Sequence, residues 1–332
     1  MTRHIYVERE VADHPGTLGI LKRFPRATVV PCERYTEVFN PRAQNFRLQK
    51  RRPATILAKK HEGFVLEAPD GYRIGDGPGY YFAHMLNCVY DCRYCFLQGM
   101  YRSAHQVVFV NYDDFTRELS DTISRHPDQP AWFFSGYDCD SLAWEPVTGF
   151  VAHFLPFFEN NASARMEIRT KSTQVRTLLS RPPLDNVVVA FSLSPEPVAR
   201  SLEHRTPSVD ARIDAMVRVQ AAGWPTGLRL DPLILHEGFR ENYRALLKAL
   251  FDRVDARNLH SVSLGPFRLP RGYFRNIRAL YPDEPLFAGP LVERGGMVSY
   301  GRDAERQMRE ACLEELDHYV SAERVFPCTW AG

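Results

Sequence analysis

The sequence predicts an α/β protein built on a partial (β/α)6 barrel of the TIM type, with an N-terminal extension and a C-terminal closing helix. Short apolar runs alternate with amphipathic helical stretches from residue 80 onward, a pattern typical of a parallel sheet with helices outside it. The apolar runs number six, which suits an incomplete barrel. The chemistry of such a barrel is expected at the C-terminal ends of its strands.

The elements follow one another along the chain in this order. Strands are predicted at 80–86, 131–136, 166–170, 187–193, 227–235 and 261–266. Helices are predicted near 113–125, 146–158, 173–180, 208–222, 239–254 and 270–281, and the closing helix at 303–322. Residues 1–75 form a basic N-terminal region expected to pack on the barrel, and the turn-rich segment 68–79 leads into the main domain at 76–332.

Composition limits the classes of protein that this chain can belong to. Hydrophobic residues make up 44% and charged residues 25% of the 332 positions, as in ordinary globular proteins. No apolar run is long enough to span a membrane, and the charged start lacks the apolar core of a signal peptide, so a cytoplasmic location is expected. Seven cysteines in such a protein are not expected to form a disulfide framework. The net charge of +2 neither indicates nor excludes a nucleic-acid partner.

The stretch NCVYDCRYCF, residues 87–96, places Cys88, Cys92 and Cys95 within eight positions, directly after the first predicted barrel strand. Structural zinc usually takes four ligands, so His105 or Cys139 would have to complete a zinc site here. A [4Fe–4S] cluster held by three thiolates instead leaves one iron free to chelate S-adenosyl-L-methionine. The position on the active edge of a barrel favours the iron–sulfur cluster.

The spacing C-x3-C-x2-C, followed by the aromatic Phe96, resembles the signature of radical SAM enzymes. Further stretches along the whole chain resemble the spore photoproduct lyases in the same order. They include CRYCFLQ (92–98), VVFVNYDDF (107–115), RTKS (169–172), TPSVDARIDAMVRVQAAGWPTG (206–227) and LILHEGFRENYRALL (233–247).

This resemblance implies a partial barrel of the radical SAM kind that carries a [4Fe–4S] cluster and S-adenosyl-L-methionine. It implies DNA as the substrate, in which a methyl-bridged thymine dimer is returned to two thymines through a 5′-deoxyadenosyl radical. Such an enzyme extrudes the lesion from the duplex. An electron donor such as flavodoxin or ferredoxin is also implied.

By position, the resemblance assigns Cys88, Cys92 and Cys95 as cluster ligands. Ser135 and Gly136 at the end of the second strand, with Lys171 and Ser192 at the ends of the next two, are assigned to cofactor binding. These four positions share the active edge of the predicted barrel.

The chain departs from the lyases at the step that returns a hydrogen atom to the product. The lyases have Phe-x-x-x-Cys-x-x-Asp after the second strand, and with the ends in register the donor cysteine becomes Tyr137. Phe96 stands where the family has a tyrosine. Cys139, two positions further, is a candidate replacement donor with Tyr137 or Tyr94 as relay, and an inert thiol is the alternative.

Substrate contacts are expected from His236 after the fifth strand and from two basic stretches. One covers residues 46–52, and the other carries Arg268, Arg271, Arg275 and Arg278 at spacings that would line one side of a helix. Two other functions are left open: a lyase-like radical SAM enzyme acting on a modified nucleotide, nucleic acid or peptide, and a non-catalytic metal-binding protein that docks nucleic acid. The oligomeric state is not predicted.

Overall fold

The computed structural model describes residues 4–39, 42, 44–69, 74–75 and 77–328. The strands, in chain order, are β1 (His4–Glu8), β2 (Thr28–Cys32), β3 (Thr55–Ala58), β4 (Leu66–Glu67), β5 (Gly79–Tyr81), β6 (Met85–Leu86), β7 (Asp91–Cys92), β8 (Gln106–Phe109), β9 (Ala131–Ser135), β10 (Ala164–Thr170), β11 (Val187–Ser192), β12 (Glu203–His204), β13 (Thr226–Leu233), β14 (Leu259–Pro266), β15 (Arg268–Pro270), β16 (Leu291–Arg294), β17 (Met297–Tyr300) and β18 (Val325–Pro327).

The helices, in chain order, are α1 (Pro15–Arg23), α2 (Tyr35–Val38), α3 (Phe46–Arg51), α4 (Leu97–Met100), α5 (Tyr112–Ser124), α6 (Glu145–Thr148), α7 (Phe150–Glu159), α8 (Arg176–Leu179), α9 (Glu196–Leu202), α10 (Val209–Ala221), α11 (Phe239–Phe251), α12 (Arg271–Leu280) and α13 (Arg302–Leu316). No helix in the described part of the chain is long and apolar enough to cross a lipid bilayer.

The main sheet is a curled half-barrel of eight strands in the order β18-β14-β13-β11-β10-β9-β5-β4. Neighbouring strands from β5 to β18 run parallel, and only the edge strand β4 is antiparallel. Strand β11, of sequence VVVAFS, is buried along its whole length, as expected for β-branched residues in a parallel sheet covered on both faces. The parallel arrangement brings the carboxyl ends of these strands to one edge.

The structure confirms the partial barrel and the predicted elements from residue 113 onward, with bounds that shift by a few residues. The predicted helix at 146–158 is divided at Gly149, which adopts a left-handed φ of 61°, and α13 ends at Leu316, before residue 322. The predicted strand at 80–86 is wrong in part. It ends at Tyr81, and Met85–Leu86 pairs with β8 in a different sheet. Residues 70–73 and 76 of the turn-rich segment lie outside the described residues.

A second sheet of five strands, in the order β2-β1-β3-β8-β6, contains most of the N-terminal region. Two of its strands, β6 and β8, come from beyond residue 75 and flank the cysteine-rich segment in sequence. The segment that holds the cysteines is therefore connected at both ends to strands of this second sheet. The division of the chain at residue 75 stays a prediction.

A buried ion pair crosses the interior of the half-barrel. Glu167 on β10 and Arg229 on β13 are both inaccessible to solvent, and the guanidinium binds both carboxylate oxygens at 3.2 and 2.8 Å. Gly227 leaves room for this guanidinium, because an added Cβ would lie 2.8 Å from Nη2 of Arg229. Burial alone raises the pKa of the Glu167 carboxyl, but the charges of Arg229 and Arg169 outweigh burial and lower it to about 2.

We expect Arg229→Met to lower the free energy of unfolding by about 3–5 kcal/mol at pH 7, since it leaves a buried carboxylate without its main partner. Because the folded-state pKa of Glu167 is depressed, its stabilising contribution is present above about pH 4.5 and is lost as the pH falls toward 2. Urea unfolding at pH 7 and pH 3 measures both effects. A loss below about 1 kcal/mol at pH 7 would contradict the role given to this pair.

Candidate active site

The three clustered cysteines lie within residues 87–95 between β6 and α4, at the carboxyl edge of the half-barrel. We call this segment, which contains the short strand β7, the cysteine loop. Cys92 is buried, Cys88 and Cys95 are partly exposed, and all three are free thiols. Burial raises the pKa of each thiol, to about 12 for Cys88, and the charge of Cys95 raises the pKa of both Cys88 and Cys92 further. The three thiols are therefore close enough to interact, and their surroundings favour the protonated form of each.

The structure does not assemble a site for a single metal ion from these cysteines and a fourth ligand. Among the described ranges, no three His, Cys, Asp or Glu side chains converge closely enough for one ion. His105, a proposed fourth zinc ligand, accepts a backbone hydrogen bond from Ala54 through Nδ1 at 3.0 Å. Cys139 packs in an apolar cluster of the N-terminal sheet.

Lys50 of the N-terminal region holds the cysteine loop in place. Its side chain is only 4% exposed, and Nζ donates to the carbonyl oxygens of Cys88 at 3.1 Å and Tyr90 at 2.7 Å. The expectation that the whole basic stretch 46–52 tracks phosphates is therefore wrong for Lys50, because its ammonium group is used inside the protein. The sequence showed only a basic run and not which cation faces inward.

Glu203 binds the cysteine loop at Cys92 and Tyr94. Its backbone pairs with Cys92 where β12 meets β7, and its buried carboxylate accepts hydrogen bonds from the hydroxyls of Tyr94 and of Ser194, the latter at 2.9 Å. Arg212 lies 2.6 Å and Lys171 4.0 Å from the same carboxylate. Burial raises the pKa of Glu203, but the charges of Lys171 and Arg212 outweigh it, and the net shift is downward.

This network contains residues that sequence reasoning missed and residues that it singled out. Lys171 and Tyr94 were predicted site residues, and the structure brings them together, with Lys171 Nζ 5.6 Å from the centroid of the Tyr94 ring. Glu203 and Arg212 were missed. The periodicity of α10 contained a signal for Arg212, which shares its buried face with Val209 and Ile213.

The predicted cofactor residues lie at the ends of adjacent parallel strands. The Ser135 hydroxyl donates to the Glu167 carbonyl at 2.9 Å, and Ser192 is buried, with its carbonyl oxygen accepting from Arg212 at 3.3 Å. Gly136 adopts a φ of 80°, and an added Cβ would lie 2.9 Å from the Arg169 carbonyl oxygen, so only glycine fits this approach between strand ends.

Asp140 fixes the loop after β9 to the end of β10. Its carboxylate accepts from the backbone amide of Lys171 at 2.6 Å and from the hydroxyl of Thr170 at 2.7 Å. Two further bonds come from the amides of Leu142 and Ala143. These four hydrogen bonds attach the loop that carries Tyr137 and Cys139 to the carboxyl end of β10.

Tyr137 and Cys139 lie in different surroundings. Tyr81, Tyr137 and Phe96 form a group of mutually tilted rings, which we call the aromatic stack. The Tyr137 centroid lies 4.3 Å from that of Tyr81, at an interplanar angle of 32°, and 5.3 Å from that of Phe96, at 49°. Because Phe96 directly follows Cys95, this stack adjoins the cysteine loop. Cys139 is buried among apolar side chains of the N-terminal sheet, with Sγ 3.9 Å from Nδ1 of His84.

The predicted row of four arginines on one helix face is wrong in part. Arg268 precedes α12, on β15, where it forms an ion pair with Asp231 at 2.9 and 3.3 Å. Arg271 and Arg275 are exposed on α12, and Arg271 lies 3.2 Å from Glu293.

The ring of His236 forms hydrogen bonds with residues close to it in sequence. Its Nδ1 lies 2.8 Å from the carbonyl oxygen of Ile234, and Nε2 lies 3.1 Å from the side-chain amide nitrogen Nδ2 of Asn242. Both ring nitrogens therefore have local partners. A substrate contact through His236 stays a prediction.

Helix α12 is locked against the cysteine loop. Gly99 of α4 packs so tightly on the Tyr273 carbonyl that a Cβ could not be accommodated. Asn276 donates to the Gly99 carbonyl at 2.9 Å, and Tyr281, just after α12, donates to Gln98 Oε1 at 2.6 Å. The exposed arginines of α12 are thus carried at a fixed position beside the cysteines.

Asp138 is a buried carboxyl group on the same loop as Tyr137. Burial raises its pKa to about 6, although the Lys60 charge and a hydrogen bond with Tyr101 act in the opposite direction. One carboxyl oxygen, Oδ1, has no hydrogen-bond partner among the described residues. Ionisation of Asp138 at neutral pH therefore destabilises the folded state.

We expect Asp138→Asn to become more stable relative to the wild type as the pH rises. Because the folded-state pKa of Asp138 is raised, the wild type loses stability between about pH 4 and pH 6, and the variant does not. The difference in free energy of unfolding should change by about 2–2.5 kcal/mol between pH 4 and pH 7. Urea unfolding of the metal-free proteins measures it, with exposed Asp128→Asn as the control. A difference that does not vary with pH would refute the assignment.

Comparison with known proteins identifies the relatives of this chain. A family model described as "Spore photoproduct lyase" matches residues 78–286. The spore photoproduct lyase of Clostridium acetobutylicum is 22% identical, with 97% of each chain covered. That of Bacillus subtilis is 25% identical, with 70% of this chain and 71% of the relative covered.

Solved structures of spore photoproduct lyase superpose on the full chain. A double mutant with bound AdoMet and dinucleoside spore photoproduct gives a TM-score of 0.87, and a complex with dinucleoside spore photoproduct gives 0.85. Each is 18% identical and covers 100% of this chain and 99% of the solved chain. These matches confirm the fold.

Proposed function

Because the chain belongs to the spore photoproduct lyase family, we propose that it is a radical SAM lyase that repairs a methyl-bridged thymine dimer in DNA. The observation that supports this most strongly is the loop of three thiols at the active edge of the half-barrel, adjoining an aromatic stack. The relatives with bound dinucleoside spore photoproduct support the choice of substrate.

Cys88, Cys92 and Cys95 would hold a [4Fe–4S] cluster. The donor set fits, because three cysteines on one short segment can supply the three thiolates that such a cluster takes from a protein, and the positive charge of iron offsets the repulsion between those thiolates. The charges of Lys171 and Lys50 lower the pKa of Cys95 and so favour its thiolate. Together with S-adenosyl-L-methionine, such a cluster supplies the hydrogen-abstracting radical of the family.

The strand ends would form the pocket for S-adenosyl-L-methionine. The Ser135 hydroxyl already donates a hydrogen bond to the Glu167 carbonyl. The backbone at Ser135 and Gly136 is therefore the part of this turn that remains for a ligand. Lys171, held by Glu203 on the same edge, would place a positive charge near the carboxylate of the methionine moiety. Ser192, the last residue of β11, would be the fourth cofactor-binding residue on this edge.

The lesion would bind against the aromatic stack of Tyr81, Tyr137 and Phe96, because flat aromatic faces stack on extruded bases. The exposed Arg271 and Arg275 on α12 are placed to neutralise flanking phosphates. Arg268 already neutralises Asp231, and we propose that it positions this carboxylate at the mouth of the half-barrel.

Hydrogen return to the product would use Tyr137 and Cys139. Tyr137 is partly exposed on the stack, whereas Cys139 lies buried on the same loop. We therefore place Tyr137 next to the substrate as the relay and Cys139 behind it as the hydrogen source. The Tyr94 hydroxyl is bonded to Glu203, which favours Tyr137 over Tyr94 for the relay.

A second candidate function is radical SAM chemistry on a different substrate, such as a modified nucleotide, another nucleic acid or a peptide. The observation that favours it is the altered pair at the termination step: the tilted rings of Tyr137 and Phe96 lie 5.3 Å apart at the two positions where the family has a cysteine and a tyrosine.

Anaerobic reconstitution followed by reduction with dithionite tests both candidates. With S-adenosyl-L-methionine and dinucleoside spore photoproduct, the proposal predicts 5′-deoxyadenosine and repaired dithymidine. 5′-Deoxyadenosine without repair would support the second candidate, and no 5′-deoxyadenosine would leave a non-catalytic binding protein.

Cys139→Ala should lower clean repair about tenfold or more while 5′-deoxyadenosine still forms. Cys32→Ala, which changes a buried thiol elsewhere, is the matched control. Equal repair by wild type and Cys139→Ala would exclude Cys139 as the hydrogen source.

A further inference from the structure

We propose that three arginines gathered around Tyr281 form the docking surface for the one-electron donor of this enzyme, a small acidic flavoprotein or iron–sulfur protein. This inference rests on the proposed function, because a cluster that cleaves S-adenosyl-L-methionine must receive an electron from outside the chain. We call Arg47, Arg93, Arg205 and Tyr281 the arginine patch.

The arginine patch is assembled from four separate segments. The guanidinium carbons of Arg93 and Arg47 lie 4.1 and 5.9 Å from the centroid of the Tyr281 ring. Arg205 directly follows β12, whose His204 pairs with Asp91 two residues before Arg93, so this strand pairing brings Arg205 to the same side of the cysteine loop. Burial and the charge of Asp91 raise the pKa of Tyr281 to about 12, while the charges of Arg93, Arg47 and Arg205 lower it. Arg205 follows β12 with a left-handed φ of 66°, which is uncommon for a residue with a side chain.

The arginine patch carries positive charge that the protein itself does not neutralise. Arg93 pairs with Asp91 at 3.0 Å, but Arg47 and Arg205 are exposed and have no ion-pair partner within the described ranges. Leu48, next to Arg47, is 62% exposed and adds apolar surface. A positive surface with an apolar component is complementary to an acidic protein and speeds its association.

The arginine patch is also close to the proposed cluster ligands. Arg93 stands between Cys92 and Cys95 in the loop itself. Tyr281 donates to Gln98 Oε1 at 2.6 Å, and the side-chain amide of Gln98 donates to the carbonyl oxygen of Cys92. A protein seated on the arginine patch would therefore be separated from the cluster by little more than one layer of side chains.

Helix α12 separates this surface from the side where the substrate would bind. Tyr273, near the start of α12, contributes to the raised pKa values of the Tyr81 and Tyr137 hydroxyls in the aromatic stack, and so lies near them. Tyr281 lies eight residues further along the chain, about 12 Å at the helical rise. The arginine patch and the aromatic stack therefore lie toward opposite ends of α12, and the arginine patch is not needed for contact with the lesion itself.

The electron balance of the step is simple. Each encounter would move one electron from the reduced donor, which is oxidised, to the iron–sulfur cluster that Cys88, Cys92 and Cys95 would hold, which is reduced. No bond forms or breaks, and no proton needs to move. The chain's own contribution is the charged surface that orients the donor.

The test uses the reconstituted holoprotein and purified flavodoxin as the acidic donor. We expect Arg47→Glu/Arg205→Glu to raise the Kd for oxidised flavodoxin about tenfold or more in calorimetry at low salt. 5′-Deoxyadenosine formation with reduced flavodoxin should fall by a similar factor, while formation with dithionite stays within about twofold of the wild type. Arg26→Glu/Arg218→Glu, with the same change of charge at exposed positions elsewhere, is the control and should leave the Kd unchanged. Arg47→Glu alone is a second variant should the change at Arg205 impair folding.

Three outcomes would overturn the docking surface: an equal loss of flavodoxin binding in the control, an unchanged Kd in both patch variants, or weaker DNA binding with unchanged flavodoxin binding. The last outcome would assign the arginine patch to nucleic acid. Failure of the proposed function is distinguishable, because the wild type would then produce no 5′-deoxyadenosine even with dithionite.

Discussion

The buried carboxylate of Glu203 is the interaction on which the candidate site depends. It lies where four parts of the fold meet: Tyr94 from the cysteine loop, Lys171 after β10, Ser194 after β11 and Arg212 from α10. A carboxylate buried to this extent is costly unless its neighbours compensate it, and here two cations and two hydroxyls do so. Removing any partner would loosen the loop and the strand ends together, so we regard Glu203 as the link between the barrel and the cysteines.

The cysteine loop is clamped from two further directions. The ammonium group of Lys50, from the N-terminal region, binds two carbonyl oxygens inside the loop. From the other side, Gln98 and Gly99 attach α4 to α12. The extension before the barrel and the helix after it thus act on the same short segment. A preorganised loop can present three thiols to a cluster with little loss of conformational freedom on binding.

Much of the barrel could be predicted because its signals are local. The all-apolar run of β11 and the amphipathic pattern of α10 indicate their structures without knowledge of their neighbours. The spacing of the cysteines likewise indicates their chemistry. Contacts between distant segments could not be predicted. The pairing of Met85 with β8, the inward turn of Lys50 and the ion pair of Arg268 with Asp231 each depend on partners far away in sequence.

The claim that Cys88, Cys92 and Cys95 hold a cluster that binds S-adenosyl-L-methionine is tested most directly by electron paramagnetic resonance. After anaerobic reconstitution and reduction, we expect the wild type to give the signal of a reduced [4Fe–4S] cluster, with g values that change when S-adenosyl-L-methionine is added. Cys92→Ala should lose the signal and the bound iron, and Cys312→Ala, a buried thiol outside the loop, should retain both. A wild-type protein that takes up zinc but no iron, or a cluster signal that does not respond to S-adenosyl-L-methionine, would contradict the account.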